Sequence, residues 1–227
     1  MVIYNLIAFG IRLSPFYKRI MNTTKAIYVY LLDTLSDWEI AYLTPFIKNP
    51  RLQKNPNAYQ LKTFTIDGKP ICTAGGLNVT PDISINEVSI DGAAMLILPG
   101  GMTWDDGHEE ALNLAKKFYK KGITVAGICG ATLGLARTGL LDSVKHTSNS
   151  RDYLIASGYK GRELYLEENS VNDQGIITAP GTAPLEFARD VIQELDLFEP
   201  NVLQAWYNIY KVRQSDAFME LIQAVEG

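Results

Sequence analysis

The sequence predicts an α/β fold, a parallel sheet sandwiched between helices. Short continuous apolar runs recur at 26–32, 93–98 and 124–128, the pattern of strands buried on both faces. Stretches with helical spacing alternate with them, at 109–121 and 183–195, and parallel strands need such crossovers. Glycine-containing turns follow the apolar runs at Gly100-Gly101 and Gly181. In a sheet of this kind chemistry gathers beyond the carboxyl ends of the strands.

Taken in order, 26–32 is the first strand, and 37–47 follows with helical spacing, opened by Ser36 or Asp37 as N-cap. Residues 59–66 read as a strand, and 71–80 as an irregular hairpin turning at Gly75-Gly76. The buried strand 93–98 ends at Pro99. The amphipathic helix 109–121 stops at Gly122. Residues 124–136 give a strand, a sharp turn and a helix. Short strands are expected at 145–149 and 175–179, a helix at 183–195, and one helix or a pair over the aromatic-rich 201–225. The run Trp206 to Tyr210 reads as core or dimer surface. With no repeat or linker, 25–227 forms a single unit. Residues 1–24 are a separate extension, whose apolar run 2–11 is too short to span a bilayer. They represent an upstream start codon or a short appended helix; an export signal lacks its basic start and cleavage site.

The chain has 227 residues and a net charge of −4, which argues against a nucleic-acid partner. Two cysteines make no disulfide framework, so a reducing cytoplasm is expected. The two histidines, His108 and His146, form no cluster with metal-ligand spacing. Neither metal, cofactor nor membrane contact is called for.

The chemistry centres on Cys129. Gly127 and Ala131 stand two residues before and after it, the small-x-nucleophile-x-small spacing of a nucleophile elbow with cysteine as nucleophile. The thiol then sits at a helix N-terminus, where unpaired N–H groups favour thiolate. Glu39, Gly100-Gly101 and Gly181-Thr182 also follow apolar strands and are expected at the same sheet edge. Glycines at 100 and 101 let backbone N–H groups approach a substrate oxygen. Asn149 either orients a substrate or satisfies a strand end, and Trp38 and Trp104 either wall the pocket or pack. A carboxylate beside a thiolate is unfavourable, so Glu39 is expected to be protonated and to donate to sulfur. His108 reads as solvated and Cys72 as packing.

Asp37-Trp38-Glu39, Leu98 to Gly101, Ala126 to Ala131 and Thr178 to Ala188, in that order, resemble the ThiJ/PfpI family of the class I glutamine amidotransferase-like superfamily. The resemblance covers about 26–198 and implies a flavodoxin-like fold, a reactive Cys129, a Glu39 that contacts it, and an oxyanion hole from the N–H groups of Gly101 and Gly130. It implies a small-molecule substrate, glyoxalase-, deglycase- or hydrolase-like chemistry, and a homodimer. Gly100, Asn149, Thr182, Trp38 and Trp104 are then the pocket candidates. The family usually supplies a histidine, directly after the cysteine or about twenty residues later; this chain has Gly130 and Asn149 there. With 145–149 a strand, Asn149 and Thr147 face Cys129 and His146 faces away. The alternatives to an enzyme are a redox sensor with an oxidisable Cys129 and a silent binding module.

Overall fold

A computed structural model describes residues 24–212 and 215–226. The predicted extension therefore lies almost wholly outside the described residues. A seven-stranded sheet runs β5 (Ile83–Ser84), β2 (Tyr59–Thr65), β1 (Lys25–Tyr30), β6 (Ala93–Leu98), β7 (Thr124–Ile128), β9 (Ile176–Ala179), β8 (Val171–Asp173). Every pairing is parallel except β8 with β9. A two-stranded antiparallel hairpin, β3 (Ile71–Cys72) with β4 (Asn78–Val79), stands apart. The helices are α1 (Thr44–Lys48), α2 (Glu109–Lys120), α3 (Gly130–Arg137), α4 (Arg151–Ile155), α5 (Pro184–Glu194), α6 (Pro200–Lys211) and α7 (Ser215–Glu226). The expected α/β class and helix-flanked parallel sheet are what the chain forms.

The central strands β1, β6, β7 and β9 are the most apolar, and residues 125, 126 and 128 of β7 are fully inaccessible. Burying each such Val, Leu or Ile side chain contributes about 1.5–3 kcal/mol before entropy is counted. Helix α2 buries Ala111, Leu112, Leu114, Ala115 and Phe118 on one face, and Gly122, at φ +72°, turns the chain back to β7. Helix α5 packs on β9 and β7, α6 on α5, and α7 on α6. Trp206 is core, enclosed by Phe46, Phe198 and Tyr210.

Three local expectations are corrected, and the edge strands β5 and β8 are not among those expected. Residues 37–43 form successive tight turns rather than a helix, closed by Glu39 N–H to Ser36, Ala41 N–H to Trp38 and Leu43 N–H to Ile40. Only Thr44–Lys48 is α-helical, with Pro45 in its first turn, where its missing N–H costs nothing. The expected strand at 145–149 is a single parallel bridge, His146 to Tyr165; without a strand, alternation does not apply, and Thr147 Oγ1 donates to the Glu168 carbonyl instead of facing Cys129. The edge strand β8 falls in a polar segment with no apolar run to reveal it. Cys72 is exposed rather than packed, because the hairpin that carries it lies off the main sheet.

The order of the strands positions the site. Connections leave β1 toward β2 on one side, while β6, β7 and β9 extend on the other. The direction of winding reverses between β1 and β6, the crevice where α/β sheets bind ligands. The register Leu98 with Gly127 and Ile128 with Ala179 brings the loops after β6, β7 and β9 level. Two backbone bonds then join them to their neighbours: Ser36 N–H to the Gly100 carbonyl at 3.1 Å and Cys129 N–H to the Ala179 carbonyl at 2.9 Å.

Candidate active site

Cys129 occupies the turn between β7 and α3 with φ 58° and ψ −124°. A side chain rarely adopts this conformation, and the strain persists only where surrounding contacts enforce it. Those contacts are the β7–β9 register below and a buried helix start above, in which Gly130 to Ala136 are all buried. The result leaves the sulfur half-buried at the helix N-terminus.

Glu39 is wholly buried. Its Oε2 accepts the Gly100 N–H at 2.6 Å, a short bond. Its Oε1 has no hydrogen-bond partner among the described residues; it lies with Cys129 Sγ around Gly181, and the carboxyl and thiol shift each other's proton. Two glycines make this approach possible. A β-carbon at Gly181 would lie 2.8 Å from Cys129 Sγ and 3.1 Å from Glu39 Oε1. One at Gly100 would lie 2.6 Å from Glu39 Oε2 and 2.7 Å from Cys129 Cβ. Any larger residue at either position would drive acid and thiol apart.

Burial pushes the Glu39 carboxyl from 4.5 up to about 7, against the Gly100 N–H and the Cys129 thiol, which pull it down. The Cys129 thiol is also raised, first by burial and then by the Glu39 charge; the Asn149 amide and the Gly130 N–H oppose the rise. Acid and thiol therefore compete to keep a proton, and near neutral pH one proton on Glu39 relieves both. The helix N-terminus does not outweigh burial while the carboxylate is charged, so the expected thiolate depends on a protonated Glu39.

Asn149 lies just before α4, its Nδ2 3.4 Å from Cys129 Sγ. Its orientation is determined by its other end: the Gly181 N–H donates to Oδ1 at 2.9 Å, so the NH₂ group must face sulfur. Trp38 Nε1 donates to the Gly181 carbonyl at 2.9 Å and closes the chain of contacts. Trp38 itself is 53% exposed, at the rim of the site. Thr182 is exposed beside Gly181.

Trp104 is not a pocket wall. It is 1% exposed, packs under Gly130 and Gly134, and donates from Nε1 to the Pro99 carbonyl at 3.0 Å, so it supports the Gly100-Gly101 turn from beneath. His108 is half-buried rather than free in solvent: its ring lies 4.5 Å from that of Trp104 and bonds Tyr30 and Thr103, each at 2.9 Å. His146 is fully buried and bonds the Val144 carbonyl and the Tyr159 hydroxyl; burial holds it below the usual histidine range. Neither histidine touches Cys129. Among the described residues no group of three or more His, Cys, Asp or Glu could hold a metal ion.

One further neighbour escaped the sequence. Tyr153 on α4 is half-buried, and burial, then the charges of Asp105 and Cys129, push its phenol up to about 12. Nothing in the pattern around Tyr153 marks it, whereas Gly181 was expected at this edge from its place after an apolar strand.

The sheet and site define an α/β protein with a cysteine at a strained strand-to-helix turn and a buried acid against it. The chain belongs to the DJ-1/PfpI family, whose profile matches residues 25–194. It is 42% identical to the uncharacterized protease YoaZ of Bacillus subtilis over 207 residues, 89% of this chain and 98% of that one. It is 30% identical over 133 residues to the glutathione-independent glyoxalase DJR-1.2 of Caenorhabditis elegans, covering 56% of this chain and 69% of that one. The structure of a thiJ/pfpI family protein from Bacillus anthracis superposes with a TM-score of 0.85 at 38% identity, covering 90% of this chain and 98% of that one. Among the described residues no helix is long and apolar enough to cross a membrane.

Proposed function

We propose that the protein is a cysteine-dependent enzyme acting on a small 2-oxoaldehyde, of which glyoxal is the simplest. The observation that carries this is the Glu39 carboxyl, wholly buried beside the Cys129 thiol around Gly100 and Gly181 and pushed by that burial up to about 7. A general acid–base works best near the operating pH. The Cys129 thiolate adds to the aldehyde carbon, a C–S bond forms, and the carbonyl electron pair moves to oxygen, which takes the Glu39 proton and leaves Glu39 ionised. In this reading the N–H groups of Gly101 and Gly130 receive that oxygen. Ionised Glu39 then removes the C–H proton of the hemithioacetal, and the electrons pass to the neighbouring carbonyl as an enediol. Return of the proton to the adjacent carbon leaves a thioester. Water cleaves it to the hydroxy acid and frees the thiol. One carbon is oxidised as its neighbour is reduced, so the step balances without an external oxidant.

Asn149 supports sulfur as a neutral donor that cannot titrate. Amide hydrolysis asks more of the site, because an amine leaving group must be protonated as it departs. The C. elegans relative's name as a glyoxalase agrees with the carbonyl reading. The test is glyoxal turnover by the wild type and Cys129→Ser, with a peptide substrate in parallel. Glyoxal turnover confined to the wild type supports the proposal. Equal turnover in both proteins, or peptide cleavage without glyoxal turnover, rejects it.

A further inference from the structure

We propose that Thr132 and Ser148 form a buried positioning pair that locks the Cys129 turn and the Asn149 amide into one unit; this rests on the reading of Cys129 as the reactive group. Thr132 lies one turn into α3, fully inaccessible, and Ser148 is 3% exposed. The Cys129 carbonyl accepts the Thr132 N–H at 3.1 Å and the Thr132 hydroxyl at 2.6 Å. Thr132 Oγ1 and Ser148 Oγ are also 2.6 Å apart. A hydroxyl has one proton to give. Thr132 spends its proton on the Cys129 carbonyl, so Ser148 is the donor between the two hydroxyls.

The direction of this relay matters. It runs from Ser148 to Thr132 to the backbone of Cys129, the residue at φ 58°. Ser148 is also the immediate neighbour of Asn149, whose amide reaches the sulfur from the other side. The segment is held at its far side as well, by Thr147 N–H to Thr178 Oγ1 and by the Tyr165 hydroxyl to the Ser148 carbonyl. The two hydroxyls are thus a second link, beside the Asn149 amide itself, between the loop that holds the nucleophile and the loop that holds its donor. Two short bonds in a buried setting resist relaxation of the strained turn. Removing the Thr132 hydroxyl leaves the Cys129 carbonyl held by the Thr132 N–H alone and leaves the Ser148 hydroxyl without its partner.

The test compares Thr132→Val, which keeps the β-branch and loses the hydroxyl, with Thr132→Ser, which restores it, and with Ser148→Ala. The first reading is the rate of Cys129 alkylation by iodoacetamide across pH 5 to 10, followed by intact mass; it needs no turnover. Loss of one buried hydrogen bond is expected to slow alkylation at neutral pH by about ten-fold in Thr132→Val and Ser148→Ala and to shift the pH midpoint upward. Thr132→Ser is expected to keep the wild-type profile. A parallel glyoxal assay is expected to show lower kcat with little change in KM. A changed alkylation profile with no turnover by any protein would leave the pair in place and remove the enzymatic proposal. Folded Thr132→Val or Ser148→Ala with the wild-type alkylation profile overturns the pair, even if either melts at lower temperature. If Thr132→Val does not fold, Ser148→Ala decides alone.

Discussion

The Glu39 carboxyl sets the pH dependence of stability in a direction opposite to that of an ordinary acid. Its ordinary value is 4.5, and burial in the fold raises it to about 7. The folded protein then binds a proton that the unfolded chain releases, so stability is greatest below pH 4.5 as far as this group is concerned. It falls as pH rises through about 7 and levels off above. A rise of this size, at about 1.36 kcal/mol per pH unit, corresponds to about 3 kcal/mol. The group is wholly inaccessible, so solvent screening takes little from that figure. Glu39→Gln keeps the shape, keeps an acceptor for the Gly100 N–H and removes the charge. The variant is expected to exceed the wild type by about 1 kcal/mol at pH 5 and by about 3 kcal/mol at pH 8.5. In a protein of this length that is a gain of about 6–12 °C in Tm. Thermal and urea unfolding of both proteins at the two pH values measure it. A stability difference that is the same at pH 5 and pH 8.5 would refute the reasoning, because the carboxyl would then titrate alike in the folded and unfolded chains.

Cys129→Gly is expected to be more stable than Cys129→Ala by about 1 kcal/mol, since strain of about 1–3 kcal/mol at positive φ exceeds the entropy that glycine adds to the unfolded chain; urea unfolding ranks them, and the reverse order would show the turn to be unstrained. Asn149→Asp keeps the bond from Gly181 but turns an acceptor and a charge toward sulfur. Alkylation of Cys129 at pH 7.5 is expected to slow by about ten-fold or more, and an unchanged rate would place the amide out of contact with the thiol.

The architecture was legible because its signals are local. The buried strands at 26–32, 93–98 and 124–128 announce themselves by unbroken apolar runs, and α2 by its apolar face and its glycine stop. The elbow was legible because Gly127 and Ala131 flank Cys129 at a spacing only a tight strand-to-helix turn requires. Residues 37–43 misled because helical spacing does not distinguish a helix from consecutive tight turns when a proline follows at 45. Trp104 stayed open between wall and packing because its position after the Gly-Gly turn does not reveal that α3 packs on top of it.

By itself the sequence determined the alternation of strands and helices, the turn that bears the thiol, and the absence of a histidine where the family usually has one. These follow from residue types at short spacing, which fix backbone geometry within a few residues. Tertiary structure alone decided that Oε1 of Glu39 lies with the thiol around Gly181, that the Asn149 amide turns its NH₂ toward sulfur, and that Trp104, His108 and His146 are structural. Those contacts join residues up to 143 positions apart, as between Trp38 and Gly181. They depend on which strands lie side by side, and the shift of the Glu39 proton depends on burial that no single segment can supply.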